Sequence, residues 1–362
     1  MNPSNFRSID LLAGKDDFLA DVLAGLTASP KYLLPKYCYD KAGSQNFEEI
    51  SRLDDYYVTR AEERLLQSIN PINEVTIGAG QQVVVIELGG ASSEKFCRLQ
   101  HLIPNVNRYI PIDISRDTLF RSAKQLACDI PALDVLAICA DYEQLNDLDW
   151  TKLLQDRIPV LYYPGSTLGN LSRVKAQALL RTMRGMVGDH GYLILGCDMT
   201  TDPHVLINAY DDKQGANARF NLHILRRINQ ELGGTFDLAQ FRHDVRFNAD
   251  QNQVEIYLTS LTRQHVQVQG HDFHLAKGES IHAELSRKFT RRDLADLAAS
   301  TGFTQVQSWT DEVCPFAIML WRAADTVAEA DAERWDLRSN NDIQNTHEPQ
   351  GLHSEAAIAE AL

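Results

Sequence analysis

The 362-residue chain has six cysteines (38, 97, 128, 139, 197 and 314) and no C-x-x-C pair, so it offers neither a zinc knuckle nor a disulfide framework. Reduced, mostly buried thiols are expected. No run approaches the ~18 to 20 apolar residues of a membrane-spanning helix. The opening "MNPSNFRSIDLLAGKDDF" lacks a basic region followed by an apolar stretch, so a cytoplasmic protein is expected. Basic clusters are also missing: 35 Lys and Arg against 49 Asp and Glu give a net charge of -14. That balance opposes binding to nucleic acid or an anionic membrane and suits a small cationic or zwitterionic ligand. There is no G-x-S-x-G elbow, since in "YPGSTLGN" Ser166 has no second glycine two residues on. His271 and His274 of "HDFH" are spaced as metal ligands can be, but only Asp272 stands near them, so surface histidines and no metal are expected.

With 44% hydrophobic residues, the chain can bury one large core or two moderate ones. Short apolar runs recur at 83–88, 108–113, 135–141, 158–165 and 191–198. Between them lie segments such as "SRDTLFRSAKQLA" and "SRVKAQALLRTMRGMV", whose apolar residues repeat at three and four. Such alternation means βαβ units and a parallel sheet, an α/β fold. Residues 203–248 read as helical, and 252–268 and 273–285 as two half-exposed antiparallel strands, so 203–286 is an α+β insertion. The segment 290–323 gives a helix and two strands returning to the sheet, and 323–362 reads as a mobile C-terminal tail.

The first run ends in "VVVIELGGASSEK" (83–95), a buried strand breaking at a double glycine before a helix. A dinucleotide fingerprint needs G-x-G-x-x-G, and Ser93 stands where the third glycine belongs. A phosphate loop needs G-K-[ST], which is absent. The phosphate-free ligand common to such turns is S-adenosylmethionine. Its site wants an acid near the first strand (Glu87), one at the end of the second for the ribose (Asp113) and one after the third for the adenine amino group (Asp141). Each alone is an ordinary strand-end carboxylate; three in register are not.

The blocks "YDKAGSQNFEEISRLDDYYVTRAE" (39–62), "ELGGASSEK" (87–95), "YIPIDIS" (109–115), "YPGSTLGNL" (163–171), "AYDDKQGANARFN" (209–221) and "ESIHAELSRKF" (279–289) together resemble the histidine-specific S-adenosylmethionine-dependent methyltransferases. The likeness runs in order from about residue 8 to 322. It implies a Rossmann-like methyltransferase domain (61–202 and 287–322) with a second, α+β substrate-binding domain from 1–60 and 203–286. It also implies trimethylation of the α-amino group of L-histidine to hercynine, the first step toward ergothioneine, by a monomer or weak homodimer without a metal. Carried over by position, Gly89 and Lys95 line the methionine end of the cofactor, Asp113 meets the ribose, Asp141 the adenine, and Tyr142 packs near the base. Asn170 and Tyr210 hold the substrate carboxylate. Tyr39, the catalytic candidate, stands beside the α-amine, and Tyr56, Glu284 and Ser286 face the imidazole.

The chemistry suits these residue types. Methyl transfer from a sulfonium is an in-line displacement governed by positioning. The amine must be neutral, and with a pKa of ~8 a useful fraction already is. Tyr39 can orient the lone pair without acting as a base, and aromatic faces tolerate the final cation. A carboxylate at 284 accepts an imidazole N–H, whereas an indole compensates it poorly. Two departures from the family pattern are Ile256, where many members carry Met, and "GGASS", where "G-S-G-T-S" is commoner; the first leaves ring specificity open. Two alternatives also stay open here: a relative acting on another aromatic amino acid or an indole-type amine, and a non-catalytic cofactor-binding module. Asp113→Ala should weaken S-adenosylmethionine binding roughly tenfold or more, as loss of a charge-assisted bond does; calorimetry showing unchanged affinity refutes the ribose assignment.

Overall fold

The unbroken apolar runs become strands because both of their faces are covered. Val83 and Val85 join one core and Val84, Ile86 and Leu88 another, on opposite sides of one sheet. The structure, a computed structural model, describes residues 3–13, 17–72, 77–78 and 80–324. Among these residues, eight strands form one sheet: β1 (Phe6–Asp10), β2 (Val83–Leu88), β3 (Val106–Asp113), β4 (Asp134–Cys139), β5 (Ile158–Tyr163), β6 (Tyr192–Asp198), β12 (Phe303–Thr310) and β13 (Phe316–Ala323). Their order is β1-β4-β3-β2-β5-β6-β13-β12, parallel except where β13 runs against β6 and β12 against β13. The chain winds outward from β2 in both directions. A crevice therefore opens at the carboxyl ends of β2, β3 and β5, where α/β sheets bind ligands. This is the expected Rossmann-like α/β fold.

Among the described residues, three α-helices precede β2: α1 (Phe18–Thr27), α2 (Lys41–Ser51) and α3 (Tyr57–Ser68). The crossovers carry α4 (Glu94–Leu99), α5 (Arg116–Asp129), α6 (Trp150–Leu154) and α7 (Arg173–Val187), the last capped by the Ser172 hydroxyl accepting from the Lys175 amide. The insertion contributes α8 (Pro203–Tyr210) and α9 (Ala216–Glu231), and α10 (Arg291–Ser300) leads into β12 behind a Thr290–Asp293 capping box.

Five further strands lie in the insertion: β7 (Phe241–Asn248), β8 (Gln253–Ser260), β9 (Gln264–Val268), β10 (His271–Leu275) and β11 (Ser280–Arg287). They form a three-stranded antiparallel sheet, β11-β8-β7, and a β9–β10 hairpin. The N-terminal segment extends the former: the Leu33 amide donates to His282 O (2.8 Å), and the His282 amide to Lys31 O (2.9 Å). One core continues from Val85 and Tyr162 of the main sheet to Phe220, Ile224 and Ile256 of the insertion.

Several expectations need correcting. Residues 241–248 are not helical but form β7, in full register with β8 from Phe241↔Ser260 to Asn248↔Gln253; pairing overrides their weak local pattern. The stretch 252–268 is two strands in two sheets, separated after Ser260, and 273–285 divides at Gly278, whose φ of +83° stops β10 from running into β11. Phe6–Asp10, expected with the second domain, is an edge strand of the main sheet, parallel to β4 from Phe6↔Val135. Five residues carry too little periodicity to show this. The tail expected over 323–362 lies outside the described residues from 325 onward, while Ala323 closes β13.

The 3-10 turn Thr167–Asn170 packs directly against β11. A Cβ on Gly169 would stand 2.5 Å from the Arg287 carbonyl oxygen, so only glycine allows the contact. Gly169→Ala should therefore lower stability by about 1–3 kcal/mol, as overpacking does, read as a drop in the urea midpoint at constant slope; an unchanged midpoint contradicts this packing.

Candidate active site

Above β2 the backbone turns at Gly89, with φ +81°, and the Gly89 and Gly90 amides both donate to Ile112 O at 2.9 and 3.1 Å. A Cβ at Gly90 would meet the Pro111 Cβ at 2.8 Å, which accounts for the second glycine. Over Gly89 lies the hydroxyl of Tyr142, whose ring stands at right angles to Tyr163 (5.8 Å). Glu87 is wholly buried below the turn, where it accepts from the Tyr109 hydroxyl (2.7 Å) and burial pushes its carboxyl up to about 8. Asp113 accepts from the Ser115 amide (2.7 Å), and burial raises its carboxyl above the ordinary value. Asp141 is paired with Lys36 (3.2 Å), whose ammonium also reaches Asp21 (3.2 Å). Lys95 lies 3.7 Å from Glu62, and the other oxygen of Glu62 accepts from the Gly165 amide (2.8 Å). Glu62 thus links the helix after β2 to the loop after β5.

Tyr39 stands between this crevice and the insertion. Its carbonyl accepts from Ser115 Oγ (2.9 Å), and its ring packs edge-on against Phe220 (5.2 Å) and beside Phe47 (5.9 Å). The next residue, Asp40, caps α2 through the Gly43 amide (2.7 Å) and bonds His223 of α9 (2.7 Å), while Arg227 donates to Tyr37 O (2.7 Å). Burial, with Glu284 and Tyr56 and then Asp113 adding to it, holds the Tyr39 hydroxyl well above its ordinary value. It is a protonated phenol at neutral pH.

The remaining substrate candidates come from three further places in the chain. Tyr56 meets Tyr210 edge-on (5.9 Å), and the Tyr210 hydroxyl lies 2.8 Å from Ser286 Oγ. A bulge in β11 between His282 and Glu284 breaks the alternation there. Glu284 is buried, and burial raises its carboxyl to about 7 against the opposing pull of Lys288 and an Asn221 hydrogen bond. Ile256, its partner in β8, is wholly buried. Asn170 ends the turn that Gly169 seats on β11. The Tyr37 and Tyr57 hydroxyls donate to Asp21 (2.6 Å) and Asp198 (2.7 Å). In the hairpin, His265 stacks on His274 (4.9 Å) and bonds Asp272 (2.7 Å), on an exposed surface.

Residues 18–323 match the family described as histidine-specific, SAM-dependent methyltransferases. The chain belongs to that family. It is 34% identical over 305 residues to the histidine N-alpha-methyltransferase of Mycolicibacterium smegmatis, spanning 83% of this chain and 93% of that protein. The Mycobacterium tuberculosis protein of the same name is 32% identical over the same shares. Ergothioneine biosynthesis protein 1 of Neurospora crassa is 25% identical over 300 residues, 78% of this chain but 32% of that longer protein.

The resemblance did not reveal every polar group that this family member buries at the site. Lys288 Nζ meets Asp198 Oδ2 (2.8 Å), Tyr210 Oη (2.9 Å) and Ser286 Oγ (2.9 Å), and both Lys288 and Asp198 are wholly buried. Asp198 ends the fifth apolar run, the same strand-end position that exposed Asp113, so the signal was there. Lys288, beside Arg287 in the sequence, carries no such signal. Nothing in the sequence flags the contacts of Glu62 with Gly165 or of Lys36 with Asp141, which span over 100 residues of the chain.

The raised Glu284 carboxyl gives a pH signature. Between pH 4.5 and about 7 the folded protein holds this proton and the unfolded chain does not, so the group's contribution to stability falls as pH rises and is flat above about 7. Glu284→Gln should match wild-type stability near pH 4.5 and exceed it at pH 8 by up to about 3 kcal/mol. Denaturant titration without ligand reads this, and an equal difference at both pH values refutes it.

Proposed function

We propose that the chain transfers methyl groups from S-adenosylmethionine to the α-amino nitrogen of L-histidine, ending at the trimethyl betaine hercynine, the first step of ergothioneine biosynthesis. The observation that carries this reading is the place of Tyr39. It sits between Asp113, at the cofactor crevice, and Glu284, in the insertion, on a loop bonded to both parts.

The crevice fits the cofactor. Gly89 leaves open backbone under the Tyr142 hydroxyl, Asp113 is a half-buried carboxyl suited to hydroxyl donors, and Lys95 supplies a cation for a carboxylate. Gly89 and Lys95 would hold the methionine end, Asp113 the ribose, Asp141 the adenine amino group with Tyr142 beside the base. Lys36 orients Asp141 as an acceptor. When bound, S-adenosylmethionine supplies an electrophilic methyl group.

On the other side, Asn170 and Tyr210 hold the α-carboxylate, and Tyr56, Glu284 and Ser286 take the imidazole. Tyr39 keeps its proton, so it orients the amine lone pair and excludes water without abstracting a proton. The ring cluster of Tyr39, Phe47 and Phe220 offers aromatic faces to the growing cation. With a carboxyl near 7, Glu284 shares a proton with an imidazole of similar pKa at little cost.

The two-domain division, 61–202 with 287–322 for the cofactor and 1–60 with 203–286 for the substrate, belongs to this proposal, as amended by β1. Pairing of 31–33 with β11 supports it. A cytoplasmic location, metal-free catalysis, action on a free amino acid rather than nucleic acid, and a monomer or weak homodimer belong to the proposal as well; the net charge of -14 supports the exclusion of nucleic acid. Among the described residues, no helix is long and apolar enough to cross a membrane.

Incubation with S-adenosylmethionine and each of the twenty amino acids, read by mass spectrometry, tests the proposal. Histidine should gain three methyl groups in sequence and tryptophan none. Methylation of another amino acid in preference to histidine overturns it.

A further inference from the structure

Lys288 is a buried group at the site whose bonding leaves it nothing to offer a ligand. An ammonium has three protons. Here Asp198 Oδ2, Tyr210 Oη and Ser286 Oγ stand at 2.8, 2.9 and 2.9 Å and take all three. Asp198 is held in turn: besides Lys288 it accepts from the Tyr57 hydroxyl (2.7 Å) and the Thr200 amide (3.0 Å). The ion pair is thus held in one arrangement from three sides.

This arrangement dictates how the two hydroxyls can behave. Each gives one of its acceptor sites to Lys288, and they lie 2.8 Å apart, so one donates to the other. Two hydroxyl protons enter this pair and one is used within it. One proton is left for a partner outside the pair, Tyr56 or a ligand, with a buried cation behind it. Such a surface favours an acceptor carrying negative charge and disfavours a neutral group that must also donate. The Lys288 ammonium also lies over the Tyr210 ring, 4.8 Å from its centre, which fixes the side of the ring on which the charge sits.

We infer that Lys288 is the positioning residue that makes the Tyr210 hydroxyl, with Ser286 bonded to it, selective for the substrate's α-carboxylate, acting through those hydroxyls. The inference rests on the reading of the site as a histidine pocket. Without the cation, both hydroxyls regain free rotation and can accept as readily as donate. A substrate carrying an alcohol in place of the carboxylate then binds nearly as well as histidine.

The test measures affinity for L-histidine and for L-histidinol, which has CH2OH in place of the carboxylate, by calorimetry in the presence of S-adenosylhomocysteine. Lys288→Met leaves Asp198 buried without its partner, so the double variant Lys288→Met/Asp198→Asn, which removes both charges together, is measured beside it. We expect both to bind S-adenosylhomocysteine within twofold of wild type. Histidine affinity should fall roughly tenfold or more, the usual effect of losing a charge-assisted bond, and the wild-type preference for histidine over histidinol should shrink by a similar factor. A folded double variant that keeps the wild-type preference overturns the inference, whether or not its histidine affinity has fallen. If wild-type protein binds no histidine, the histidine reading itself fails, a result distinct from an unchanged preference in the variants.

Discussion

The burial of one lysine against one aspartate governs how this chain closes on itself. Taking Lys288 and Asp198 out of water costs several kcal/mol per ion, and such a pair is tolerated only when every remaining donor and acceptor is met. Here they are met by Tyr57 from the start of α3, Thr200 after β6, Tyr210 at the end of α8 and Ser286 in β11. No two of these elements are consecutive strands of one sheet. The ion pair therefore works as a register: the N-terminal helices, the main sheet and the insertion satisfy it only in one mutual placement.

A second junction, built from neutral as well as charged groups, places Tyr39. Its carbonyl is tied to Ser115, two residues beyond Asp113, and the following Asp40 is tied to His223 on α9. The acid proposed for the ribose and α9 of the insertion are thus connected through two adjacent residues. A methyl transfer depends on alignment more than on acid or base strength, and a protonated phenol clamped from both sides meets that need. Glu62 does similar work deeper in the crevice, bridging Lys95 and the Gly165 loop.

Much of this was legible in the sequence for a plain reason: strands covered on both faces must be apolar throughout, and residues at their carboxyl ends line the crevice. That reasoning located β2 to β6, Gly89, Asp113 and Asp141. The quoted blocks then supplied Tyr39, Tyr56, Asn170, Tyr210, Glu284 and Ser286, and the structure brings Tyr56, Tyr210 and Ser286 into one cluster with Tyr39 and Glu284 close by. What failed was either too short or not local. β1 has five residues, and β7 has a mixed pattern stabilised by its pairing with β8. Lys288 next to Arg287 looks like surface charge until the fold buries one of them completely.

The sequence by itself determined the strand-helix alternation, the phosphate-free turn and the kinds of side chain available to an amino-acid substrate, because each depends on residues within a few positions of one another. Only the tertiary structure decided that Lys288 and Asp198 are internal, that Asp141 is held by Lys36, and that Glu284 keeps its proton to about pH 7. Those are properties of desolvation and of partners distant in the chain. A residue's charge is written in the sequence, but the energy of carrying that charge depends on what the fold packs around it.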